Sequence, residues 1–68
     1  MKSSLILGYG STGQDIEQYL ISQNKNYLIH DDKENIDKKY KFNSENINNI
    51  ETIFVSPGVK KDHEILRM

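Results

Sequence analysis

Three short apolar runs interrupt an otherwise polar chain: Leu5-Ile6-Leu7 within Ser3 to Leu7, Tyr27-Leu28-Ile29-His30, and Thr52-Ile53-Phe54-Val55. Each is too short for a helix and is stopped by a turn signal, Gly8, Asp31 or Ser56-Pro57-Gly58, so they predict buried strands near residues 3–7, 27–30 and 52–56. Between the first two, Ile16, Tyr19, Leu20 and Gln23 recur at helical spacing and predict a helix from Thr12 to Gln23. Asp15 and Glu17 fall early in it, where the macrodipole favours acids, and Asn24-Lys25-Asn26 ends it. A helix between two strands implies a parallel pair with a right-handed crossover. From Asp32 to Phe42 the chain is polar and of mixed charge and reads as a solvated connection, with a minor strand at Tyr40-Lys41-Phe42 as the alternative. Ser44 is expected to cap a helical turn over Glu45 to Asn49, and Asp62 another through Glu64-Ile65-Leu66. This order predicts an α/β fold, a Rossmann-like three-layer αβα fragment whose small parallel sheet has strand order 2-1-3. Its ligand crevice should lie beyond the carboxyl ends of the strands.

The chemistry concentrates at that edge. Gly8-Tyr9-Gly10-Ser11-Thr12-Gly13 places a Gly-x-Gly-x-x-Gly pattern between the first strand and the helix. The first glycine serves a tight turn, the second lets a phosphate approach the backbone, and the third lets helix and strand pack closely. The helix N-terminus behind them offers unpaired N–H groups to an anion. Asp31 follows Gly10 by 21 positions, where a dinucleotide fold places a carboxylate near a ribose hydroxyl. Ser56-Pro57-Gly58 closes the third strand with a turn expected to combine a fixed proline φ with a positive glycine φ and to present the serine hydroxyl to the crevice. His30 and His63 lack partners at ligand spacing along the chain and receive no chemistry from the sequence.

Composition narrows the classes. The 68 residues, 35% of them hydrophobic, suffice for one small domain with a thin core, and a piece of a larger protein is the expectation. A net charge of −1 with signs interspersed gives no footprint for nucleic acid or an anionic membrane. There is no cysteine for a disulfide framework, and the first apolar run is too short for a signal peptide, so the expected compartment is the cytoplasm.

The glycine hexad after its strand, the strand ending in Asp31-Asp32, and Phe54-Val55-Ser56-Pro57-Gly58-Val59 with His63 shortly after resemble the amino-terminal domain of the Mur ligases. The D-glutamate-adding members fit best, on the Ser-Pro-Gly turn, and the resemblance spans essentially the whole chain. It implies a Rossmann-like domain that holds the uridine diphosphate portion of UDP-N-acetylmuramoyl-L-alanine. In that reading Ser11 and Thr12, between Gly10 and Gly13, face the diphosphate. Asp31, Asp32 and Lys33 flank uracil and ribose, and Ser56, Pro57 and Gly58 cover the uracil. Two positions depart from the pattern: Asp32 stands where some members have a neutral hydroxyl residue, and Lys33 where an arginine is sometimes found. The full ligases join an amide through an acyl phosphate using ATP and magnesium. These residues contain no Gly-x-x-Gly-Lys-Ser/Thr loop, so the resemblance implies a substrate-binding domain without catalysis or cofactor of its own. Its partners would be the remaining ligase domains or a second copy. Two alternatives stay open: a module for NAD or another adenine dinucleotide, and a stand-alone interaction protein that kept the fold and lost the site.

Overall fold

Leu5, Ile6 and Leu7 are almost completely buried, and such a run on both faces of one strand requires cover above and below. A computed structural model of the chain describes residues 2–68 and shows how that cover is built. β1 (Ser3–Leu7) is the central strand, flanked by β2 (Tyr27–His30) and β3 (Ile50–Val55) in the order β2-β1-β3. Both pairings are parallel: Ile6 stands beside Ile29 on one side and Phe54 on the other. β3 starts two residues before the predicted strand and carries a register shift opposite Ser3 and Ser4.

One face of the sheet belongs to α1 (Ser11–Ser22), which brings Leu20 and Ile16 against Ile6 and Ile29. The helix turns Tyr19 outward, 58% exposed, so the buried stripe runs through Gly13, Ile16 and Leu20 and leaves out the predicted Tyr19. The helix ends in a Schellman motif: Asn24 takes the left-handed conformation, φ 54°, its N–H donates to Ile21 O, and Lys25 N–H donates to Leu20 O. The opposite face is covered without an α-helix. Two short 3₁₀ turns, Ser44–Asn49 and Glu64–Arg67, bring Ile47, Ile65 and Leu66 to Leu5, Leu7 and Phe42. The three layers are therefore helix, sheet and 3₁₀ turns.

Both 3₁₀ caps differ from expectation by one residue. Asn43 caps the first through a reciprocal pair with Asn46, so Ser44 is already inside the turn. His63 caps the second by accepting Ile65 N–H on Nδ1 at 3.1 Å, which leaves Asp62 outside. The stretch expected to be a solvated connection also contributes structure at its end. Ile29 N–H donates to Tyr40 O, Phe42 N–H donates to Ile29 O, and the buried Phe42 joins the core, so these residues close the outer edge of β2. Among the described residues no helix is long and apolar enough to cross a membrane.

Candidate functional site

The loops that leave β1, β2 and β3 at their carboxyl ends line one cleft of about 700 Å³. Gly10, Ser11 and Thr12 come from the first, Asp31, Asp32 and Lys33 from the second, and Ser56, Pro57 and Gly58 from the third. Gly13 is the one predicted residue outside this lining. A Cβ there would collide with the Gly8 carbonyl oxygen, so Gly13 sets the spacing between helix and strand. Gly8 makes the turn itself: its φ is 96°, and a Cβ would lie 2.9 Å from that of Ser56. Gly10 is different, because a Cβ there meets nothing within 4 Å.

α1 begins at the cleft with its positive end unneutralised. The amide of Gln14 donates to Gly10 O at 3.0 Å, and those of Ser11, Thr12 and Gly13 have no partner among the described residues. Gly10 supplies no side-chain cap, and the first turn holds no acid, since Asp15 and Glu17 fall beyond it. Three adjacent donors and a partial positive charge suit an anion.

Asp31 sits beside these donors but is largely committed to the backbone. Its Oδ2 accepts Tyr9 N–H at 2.7 Å, and its Oδ1 accepts Lys33 N–H at 2.7 Å and Glu34 N–H at 2.8 Å. Burial pushes its carboxyl up, but the amides of Tyr9, Glu34 and Lys33 outweigh burial and hold it below the usual range. A carboxylate has about four acceptor directions, so roughly one, on Oδ2, is left for a ligand hydroxyl. Ser56 is likewise oriented inward. Its Oγ–H donates to Gly8 O at 3.0 Å, so the hydroxyl bridges the first and third loops and does not turn its proton to the crevice as expected. Gly58 stays outside the positive-φ region, and the turn is closed instead by Val59 N–H donating to Ser56 O.

The second feature of the cleft escaped sequence reasoning. His30 and His63 both reach the Asp32 carboxylate, with Nε2 at 2.9 Å from Oδ1 and 3.0 Å from Oδ2 respectively. Hydrogen bonds from the two rings hold the Asp32 carboxyl below its usual range. The available signal was topological. In a 2-1-3 sheet the segments after β2 and β3 both pass the end of β1, so residues distant in sequence face each other there. Val59, Lys60 and Asp62 enter the lining for the same reason.

No family model, curated protein or solved structure matches the chain.

Proposed function

We propose that the cleft binds the uridine diphosphate moiety of a nucleotide-sugar, in the manner of the amino-terminal domain of the Mur ligases, and that the chain acts as such a substrate-binding domain in the cytoplasm. The member whose motifs fit best is UDP-N-acetylmuramoyl-L-alanine:D-glutamate ligase. The observation that carries the reading is the meeting of three loops around an uncapped, acid-free helix N-terminus. The diphosphate takes the amides of Ser11, Thr12 and Gly13, where Gly10 leaves room for close approach. The Ser56-Pro57-Gly58 turn lies across the cleft as a wall for the base, and Asp31 contributes its remaining acceptor direction to a ribose hydroxyl. No catalytic step is assigned to these residues.

Asp31 does not separate this reading from the adenine-dinucleotide alternative, because its one remaining acceptor direction serves a single ribose hydroxyl in either ligand. The Ser56-Pro57-Gly58 turn is what favours the uridine nucleotide.

Titration of ¹⁵N-labelled chain with UDP tests the reading. The expected result is a joint shift of the amides of Gly10 to Gly13, Ser56 and Gly58, reproduced by a UDP-sugar and not by NAD. Preferential response to NAD, or shifts confined to surfaces away from these loops, would overturn it.

A further inference from the structure

The only two histidines of the sequence meet at one carboxylate. His30 is the last residue of β2, Asp32 lies in the turn after it, and His63 follows β3, so the sheet topology gathers them. Their rings stand edge to face at 73° with centroids 5.5 Å apart, and one donor atom from each of the three residues lies within 4.8 Å of the others. Neighbouring donors around a tetrahedral zinc ion with bonds of about 2.0–2.1 Å are separated by roughly 3.3 Å. The N···O separations of 2.9 and 3.0 Å are already close to that spacing. The His63 side chain is 11% exposed and the Asp32 side chain 65%, which gives the cluster a walled side and a side open to the cleft.

We infer that His30, Asp32 and His63 form a three-ligand site for a divalent transition-metal ion of the zinc type, with an open coordination position facing the cleft. Two imidazole nitrogens and one carboxylate oxygen suit zinc, cobalt, nickel or copper, whereas magnesium and calcium call for oxygen donors. Three protein ligands leave a fourth position for water or a ligand oxygen, as in open rather than purely structural zinc sites. The inference rests on the side-chain cluster and is independent of the nucleotide reading.

Proton positions give the site a distinctive signature. An ionised Asp32 can only accept, so without metal both Nε2 atoms carry a proton and donate to it. A metal bond to Nε2 moves that proton to Nδ1 with no net release from a neutral ring. On His63, however, Nδ1 accepts Ile65 N–H. Metal binding therefore displaces that N–H and loosens the cap of the Glu64–Arg67 turn. Occupation of the cleft is thus coupled to the turn that covers the opposite face of the sheet.

The test uses the full chain and zinc chloride alone, followed by ring and backbone ¹⁵N spectra. Both rings are expected to change from the Nε2–H to the Nδ1–H tautomer, together with a shift of the Ile65 amide. Excess magnesium chloride is expected to leave all three signals in place. Replacing a direct ligand should cost at least what losing an outer hydrogen-bond partner costs. Asp32→Asn and His30→Gln are therefore each expected to weaken zinc by about tenfold or more, with the amide spectrum verifying the fold. His63→Gln is the poorer probe because it also removes a cap. Rings that remain Nε2–H in zinc, a response of one ring alone, equal effects of magnesium, or unchanged zinc affinity in folded Asp32→Asn would each overturn the assignment.

Discussion

Asp31 accepts three backbone N–H groups and so ties the glycine loop to the turn after β2. Because its folded pKa lies below the unfolded value, near 3.9, the stability it contributes is present above that value and lost as pH falls through the folded one. Asp32, held down by hydrogen bonds from His30 and then His63, acts in the same direction. Urea denaturation is therefore expected to show stability declining as pH drops below about 4, and Asp31→Asn to flatten that decline. At neutral pH the same variant is expected to lose about 1–3 kcal/mol, because an amide NH₂ would face a backbone donor. Glu17 is a similar tie on the other side of the loop: it accepts the Tyr9 and Tyr27 hydroxyls, and Tyr27 stacks on Tyr40 at 4.9 Å. The Glu17 hydrogen bond, with burial, raises the Tyr9 phenol, and burial followed by Glu17 raises that of Tyr27, so both stay neutral donors. The position of Asp31 at the cleft was legible in the sequence, since strand length and spacing determine where a loop emerges. Its partners were not, because a carboxylate's choice between ligand hydroxyls and nearby amides depends on loop curvature. Ser56 differed from expectation for the same reason.

At the scale of elements, apolar runs located the three strands and helical spacing located α1, whereas the ends of elements were read less well. Asn43 and Ser44, or Asp62 and His63, are adjacent residues that can all accept an amide, and tertiary contacts decide which one does. The end of α1 was legible because few residues tolerate the left-handed conformation Asn24 adopts. Asn24→Ala is expected to destabilise the fold by about 1 kcal/mol, and Asn24→Gly to be neutral or slightly stabilising, as read from urea midpoints. A harsher outcome is expected at Gly13. Its Cβ would meet the Gly8 carbonyl oxygen, a backbone atom held by the Gly8 N–H donating to His30 O and by the Ser56 hydroxyl donating to the carbonyl itself. Gly13→Ala is expected to cost about 3 kcal/mol or more, at or above the usual upper end for overpacking.

For the whole molecule, the parallel 2-1-3 order gives the cleft its location, and the glycine hexad divides its work between folding and openness. Gly8 and Gly13 are required by geometry, through a positive φ and a close approach, while Gly10 is not: its φ of −79° and ψ of −160° suit any residue. Gly10 occupies the N-cap position, where aspartate is among the preferred residues. Glycine is itself an accepted N-cap residue, and at this position it leaves the approach to the helix N-terminus free of any side chain. Gly10→Asp separates the two roles. As a cap it leaves stability unchanged or raises it by a few tenths of a kcal/mol relative to glycine. As a carboxylate on the amides of Thr12 and Gly13 it occupies the anion position and repels a diphosphate. UDP titration of a fully folded Gly10→Asp chain is therefore expected to lose the shifts at Ser11 to Gly13 and to weaken binding by at least about tenfold, since a repulsion of roughly 1.4 kcal/mol suffices. If UDP still moves those amides with unchanged affinity, the diphosphate is held elsewhere and the proposed nucleotide site fails.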